Sequence, residues 1–153
     1  MSLVIEMVAR TILLVEDNPY DVEFTRRAFT KSRIANQLVV AKSGEEALDF
    51  LFGTGAYAGR DVSELPALTL LDLKLPRLQG IEVLRSIRAD GRTKTMPVAV
   101  LTTFSDQPEI AIARDLGAKG HIRKPVDFGQ LMEVVSELHL SLAVVDQPAA
   151  KAD

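Results

Sequence analysis

Short apolar runs alternate along this chain with segments whose apolar residues recur at helical spacing. Ile12-Leu13-Leu14-Val15, Leu68-Thr69-Leu70-Leu71 and Val98-Ala99-Val100-Leu101 are the strongest of these runs. The alternation predicts strands at Thr11–Glu16, Gln37–Ala41, Ala67–Asp72, Val98–Leu101 and Gly120–Arg123. Between them lie predicted helices over Pro19–Lys31, Gly44–Phe52 and Gly80–Ala89. A fourth helix starts at Pro108 and ends at Gly117, and a fifth runs from its cap Asp127 to about Leu138. Five β-α pairs in one chain are the pattern of an α/β, doubly wound parallel sheet.

Local chemistry sharpens the boundaries. Asn18 precedes Pro19, so an N-cap is followed by a proline at the first helical position. Ser43 and Glu46 have the spacing of a capping box. Ile81, Leu84 and Ile87 fall on one helical face. The stretch 53–66 breaks the rhythm, being longer than the two to six residues usual between helix and strand. It is read as a surface insertion, with a partner contact as the sharper alternative. Residues 1–10 are read as an N-terminal extension, with an alternative start at Met7. Residues 139–153 are read as a C-terminal extension and frayed tail around one domain at 11–138.

With 153 residues, the chain can bury about 70% of its unfolded surface in a single core. A net charge of −3 without a Lys/Arg block argues against direct nucleic-acid binding. The absence of cysteine excludes disulfides, thiol catalysis and Cys-based zinc sites. No apolar stretch approaches a membrane span, and Met1–Met7 lacks the features of a secretion signal. A cytoplasmic protein is the expectation.

The chemistry lies where the runs end. Parallel strands gather their carboxyl ends, and ligands bind there. Glu16 and Asp17 follow the first run, Asp72 the third, Thr102 the fourth and Lys124-Pro125 the fifth. Three carboxylates at one sheet edge repel one another unless a cation sits among them. An oxygen-only donor set favours Mg²⁺, or Mn²⁺, over zinc. Asp17 and Asp72 would coordinate directly, the backbone carbonyl of Lys74 would add an oxygen, and Glu16 would act through a water. Taken alone, an acidic pair after a strand is more often a helix-capping device or a solvated turn than a metal site, and Asp72 is what favours the metal. Lys124 offers a point charge to a phosphoryl oxygen, or else a purely structural ion pair. A cis Lys124-Pro125 bond would fix where that lysine points. Thr102 offers a hydroxyl to the same group.

In this order and register the residues resemble the receiver domain of two-component response regulators, over roughly Thr11 to Leu138. Ile12-Leu13-Leu14-Val15-Glu16-Asp17-Asn18 is similar to that family's first strand and acidic pair. Leu70-Leu71-Asp72-Leu73-Lys74-Leu75-Pro76 is similar to its phosphoacceptor strand and turn. Gln79-Gly80, Leu101-Thr102 and Lys124-Pro125 complete the likeness.

The resemblance implies a flavodoxin-like three-layer sandwich with strand order 2-1-3-4-5. It implies that a sensor histidine kinase passes a phosphoryl group to Asp72 with Mg²⁺, giving an acyl phosphate held by Lys124 and Thr102. It implies a phosphoacceptor rather than an enzyme acting on other molecules, with Thr102 re-packing the fourth helix and fifth strand. His121 stands where receivers often carry the aromatic that moves with this threonine; it is either a polar version of that switch or a surface residue. Phe104 stands where the family tunes access of hydrolytic water, and His139 is given no role. The 53–66 insertion, the Lys124–Phe128 run and the apolar Leu140, Leu142, Ala143, Val144 and Val145 are similar to regulators paired with bacterial phytochrome kinases. That likeness implies a bacteriophytochrome partner and a homodimer through the fourth helix, fifth strand, fifth helix and C-terminal extension. Three rivals fit less well. A haloacid-dehalogenase-type phosphatase wants an acid where Lys74 stands. A flavodoxin-like binder wants Ser, Thr and Gly after the first strand, where Glu16 to Asp21 would repel a phosphate. A degenerate receiver would lack one of the charged positions.

Overall fold

The apolar runs become five parallel strands, and the register between them decides which chemistry meets. The computed structural model describes residues 10–103 and 107–138. In chain order the elements are β1 (Thr11–Val15), α1 (Pro19–Lys31), β2 (Gln37–Ala41), α2 (Gly44–Phe52) and β3 (Leu68–Asp72). They continue with α3 (Gly80–Ala89), β4 (Val98–Thr102), α4 (Gln107–Asp115), β5 (Gly120–Arg123) and α5 (Phe128–Glu137). The sheet order is β2-β1-β3-β4-β5, as expected. Every neighbouring pair is parallel, with Leu14 opposite Leu70 and Asp72 opposite Leu101.

Alternation along each strand splits the core in two. Leu13, Val15, Leu71, Val98 and Val100 point to the side covered by α2, α3 and α4, meeting Leu51, Val83, Leu84 and Ile87. Ile12, Leu14, Leu68, Leu70, Ala99 and Leu101 point to the side covered by α1 and α5, meeting Phe29, Leu131 and Val134. A central strand is therefore apolar on both faces, and burying each of its large side chains contributes about 1.5–3 kcal/mol.

Element ends differ from expectation by a residue or two. Glu16 lies outside β1, although its amide still donates to Ala41 O at 3.0 Å. β3 begins at Leu68 rather than Ala67, and β4 extends through Thr102, whose carbonyl accepts from Lys124 N at 2.8 Å. α4 opens at Gln107 rather than Pro108, and α5 closes at Glu137. The caps sit where the sequence put them: Asn18, Ser43 and Asp127 each accept a backbone N–H from the first turn they precede.

The 53–66 segment is tied down at its base. Gly53, at φ +68°, ends α2 in the left-handed region that glycine tolerates. A 3₁₀ turn over Gly55–Tyr57 follows, and the Tyr57 ring meets Phe50 edge-on at 5.1 Å. The Arg60 guanidinium lies 3.9 Å from the Phe50 ring centre and donates to Phe50 O at 2.9 Å. Arg88, in the last turn of α3, plays a similar part, donating to the carbonyls of Leu116, Met96, Lys94 and Gly117. Among the described residues no helix is long and apolar enough to cross a membrane.

Candidate functional site

β1 stands where the winding reverses, with β2 on one side and β3 on the other, so the crevice above its end is the natural ligand position. The chain end of β1 delivers Glu16 and Asp17 there, and β3 delivers Asp72. Gly80 keeps this edge compact. Its amide donates to Leu73 O at 3.3 Å, and a Cβ at Gly80 would lie 2.3 Å from Asp72 O. Only glycine lets α3 begin so close to the strand.

The Asp72 carboxylate is buried and engaged at both oxygens. Oδ1 accepts the Lys74 amide at 3.0 Å, and Oδ2 accepts from Lys124 Nζ at 2.9 Å. The same ammonium lies 3.2 Å from Glu16 Oε1 and 3.2 Å from Asp21 Oδ2. Glu16 Oε2 accepts the Asn18 amide at 3.1 Å. Thr102 is buried beside them, its hydroxyl donating to Ile122 O at 3.4 Å. The Lys124-Pro125 peptide is cis.

Charge in this crevice is out of balance. Burial first, and then the negative charge of Asp72, push the Glu16 carboxyl up to about 8 despite the Asn18 amide and Lys124. Burial alone would lower the Lys124 ammonium. Its hydrogen bond and attraction to Asp72, followed by Glu16 and Asp21, outweigh that and raise it. One lysine does not neutralise these acids, and a second cation would.

Oxygens of Glu16, Asp17 and Asp72 lie within 4.8 Å of one another, Asp17 at the exposed rim and the other two buried. A cluster of hard carboxylate oxygens open on one side fits a divalent cation that keeps part of its water shell. The capping alternative for the acidic pair does not hold, because Asn18 is the residue that caps α1. The Lys74 side chain turns away toward Glu109, 3.9 Å off. His121 is exposed on β5. Phe104, His139 and the apolar residues from Leu140 to Val145 lie outside the described residues.

Asp21 is the member of this site that sequence reasoning passed over. An acid in the first turn of a helix is explained by the helix dipole alone. Its place in the first turn after the Asn18 cap, beside the end of β1 where Glu16 and Asp17 emerge, was the available signal.

The family model described as the response regulator receiver domain matches residues 12–136. The chain belongs to the response-regulator receiver family. Receivers of this family are generally phosphoacceptors rather than enzymes. Response regulator Rcp1 of Synechocystis is 32% identical over 142 residues, which are 92% of this chain and 95% of that one. Among solved structures, the bacteriophytochrome response regulator AtBRR superposes with a TM-score of 0.81 at 40% identity. That match covers 91% of this chain and 99% of AtBRR. The Mn²⁺-bound form of Rcp1 gives a TM-score of 0.72 at 28% identity, covering 90% of this chain and 99% of that one. This receiver thus resembles regulators of the phytochrome type, and a relative's metal-bound form agrees with the divalent-cation fit of its acidic cluster.

Proposed function

We propose that this receiver accepts a phosphoryl group on Asp72 from a phosphohistidine of a sensor histidine kinase. The observation that carries the reading is the Asp72 carboxylate itself, buried, clamped between the Lys74 amide and Lys124, and within reach of two further acids. An Asp72 oxygen attacks phosphorus in line as the P–N bond breaks, and the imidazole leaves with the bonding pair. The product is an acyl phosphate on Asp72. Lys124, already 2.9 Å from the acceptor, then turns to a phosphoryl oxygen, and the Thr102 hydroxyl exchanges Ile122 O for another. Water then takes the phosphoryl group, releasing inorganic phosphate and restoring the carboxylate.

Glu16, Asp17, Asp72 and the Lys74 carbonyl would hold Mg²⁺, with Mn²⁺ as a substitute. When bound, the cation offsets repulsion between the carboxylate and the incoming phosphoryl group. Similarity to AtBRR supports a bacteriophytochrome as the kinase. The signal leaves through α4, β5 and α5, where Ile110, Arg114, His121, Arg123 and Glu133 line a groove of about 830 Å³. That face, with the 139–153 extension, is where a homodimer would form.

The test is Mg²⁺-dependent labelling by a small phosphodonor, read by intact mass in wild type and Asp72→Asn. Wild type gains one phosphoryl group and Asp72→Asn gains none. Label at full stoichiometry in Asp72→Asn would overturn the assignment.

A further inference from the structure

We infer that Asp21 is a positioning residue for phosphotransfer, holding the Lys124 ammonium over the acceptor while the other acids are occupied. The inference rests on the reading of Asp72 as phosphoacceptor. Lys124 Nζ has three carboxylate partners: Asp72 at 2.9 Å, Glu16 at 3.2 Å and Asp21 at 3.2 Å. Two of them change during the reaction. Asp72 becomes a mixed carboxylic–phosphoric anhydride and its attacking oxygen no longer carries carboxylate charge. Glu16 belongs to the acidic cluster that fits a divalent cation, so its charge is shared with that cation. Asp21 lies outside that cluster of three, so of the three partners it alone is neither phosphorylated nor shared with a cation.

The backbone under Asp21 is built to hold it there. Its amide donates to the Asn18 side chain at 3.3 Å, and its carbonyl accepts the hydroxyl of buried Thr25 at 2.9 Å. Side chains lean toward the amino end of a helix, which aims the Asp21 carboxylate back at the crevice. Its side chain is 22% exposed and that of Lys124 is 14% exposed, so the pair is shielded rather than solvated. Lysine carries four flexible methylenes and places its charge poorly unless tethered. A tether that does not take part in bond making lets the ammonium meet the transferring phosphoryl group without a fresh search.

The experiment compares wild type, Asp21→Asn, Asp21→Glu and Asp72→Asn, using phosphoramidate as donor at saturating Mg²⁺. The initial rate of mass labelling is followed against donor concentration, with circular dichroism confirming the fold of each variant. Loss of one charge-assisted contact in the transition state should lower the maximal rate in Asp21→Asn about tenfold. The donor concentration at half-saturation should stay unchanged, because Asp21 touches no donor atom. Asp21→Glu should regain most of the rate, since it restores the charge with one more methylene. A maximal rate in Asp21→Asn within about twofold of wild type overturns the inference, as does a loss that Asp21→Glu leaves unrepaired. Label in Asp72→Asn would instead overturn the reading of the acceptor on which it rests.

Discussion

At the scale of single residues the crevice is organised by a mismatch of charge, and Glu16 records it. Its carboxyl sits fully buried and is raised from 4.5 to about 8 by burial and by Asp72. The folded chain therefore binds this proton more tightly than the unfolded chain does. Stability from this group is complete below pH 4.5, declines as pH rises, and is lost once pH passes about 8. Lys124, raised above its ordinary value chiefly by Asp72 against the cost of burial, acts on the alkaline side of that window. In a chelator, the thermal midpoint of wild type should fall between pH 5 and 9, while Glu16→Gln should remove the decline. Saturating Mg²⁺ should flatten the wild-type profile too, because it favours the ionised carboxylate and releases the proton. A wild-type midpoint that rises with pH in the chelator would contradict this account. Asp17 and Asp72 were legible in the sequence because strand ends converge. The burial of Glu16 was not, since nothing in Val15-Glu16-Asp17 says which of two adjacent acids turns inward.

Elements meet this site at fixed joints, and the tightest is the start of α3. Gly80 brings its helix onto the end of β3 so closely that a methyl group would overlap Asp72 O and Leu73 Cα, at 2.3 and 2.7 Å. Both atoms are backbone, so neither can rotate aside. Gly80→Ala should therefore push α3 away from β3 and cost about 1–3 kcal/mol in denaturant unfolding, by overpacking. It should also slow labelling of Asp72, whose Oδ1 depends on the neighbouring Lys74 amide. A loss under about 0.5 kcal/mol, the range of an ordinary surface change, would show that the joint can yield. Element boundaries were readable to within a residue or two because the chain carries its start and stop signals locally, in the N-caps Asn18, Ser43 and Asp127 and in Gly117. The 53–66 segment was not readable in this way. Its order comes from Tyr57 and Arg60 folding back on Phe50, contacts that exist only after α2 has formed.

For the whole molecule, the two-sided core makes the sheet a rigid frame between the acceptor and the α4–β5–α5 face. Strands apolar on both faces and packed between helices cannot bend far without opening one layer. On the proposed function, a charge added at Asp72 would be relayed by side chains that can exchange partners, and Thr102 is placed to do so. Its hydroxyl already bridges β4 to the Ile122 carbonyl of β5. If it turned to a phosphoryl oxygen, that cross-strand bond would be given up and β5 would lose a contact to β4 beside the exposed His121. Phosphorylation of the wild type should therefore change amide hydrogen exchange in α4 and β5 while leaving α2 and β2 unaltered. Thr102→Ala should still accept a phosphoryl group on Asp72 at full stoichiometry, because the attacking carboxylate and Lys124 are intact. Its exchange pattern should be the same with and without the label, which separates acceptance of the signal from its transmission. A Thr102→Ala protein whose α4 and β5 respond as the wild type does would move the relay away from this hydroxyl and onto Lys124, which follows β5 and donates to Asp72 at 2.9 Å.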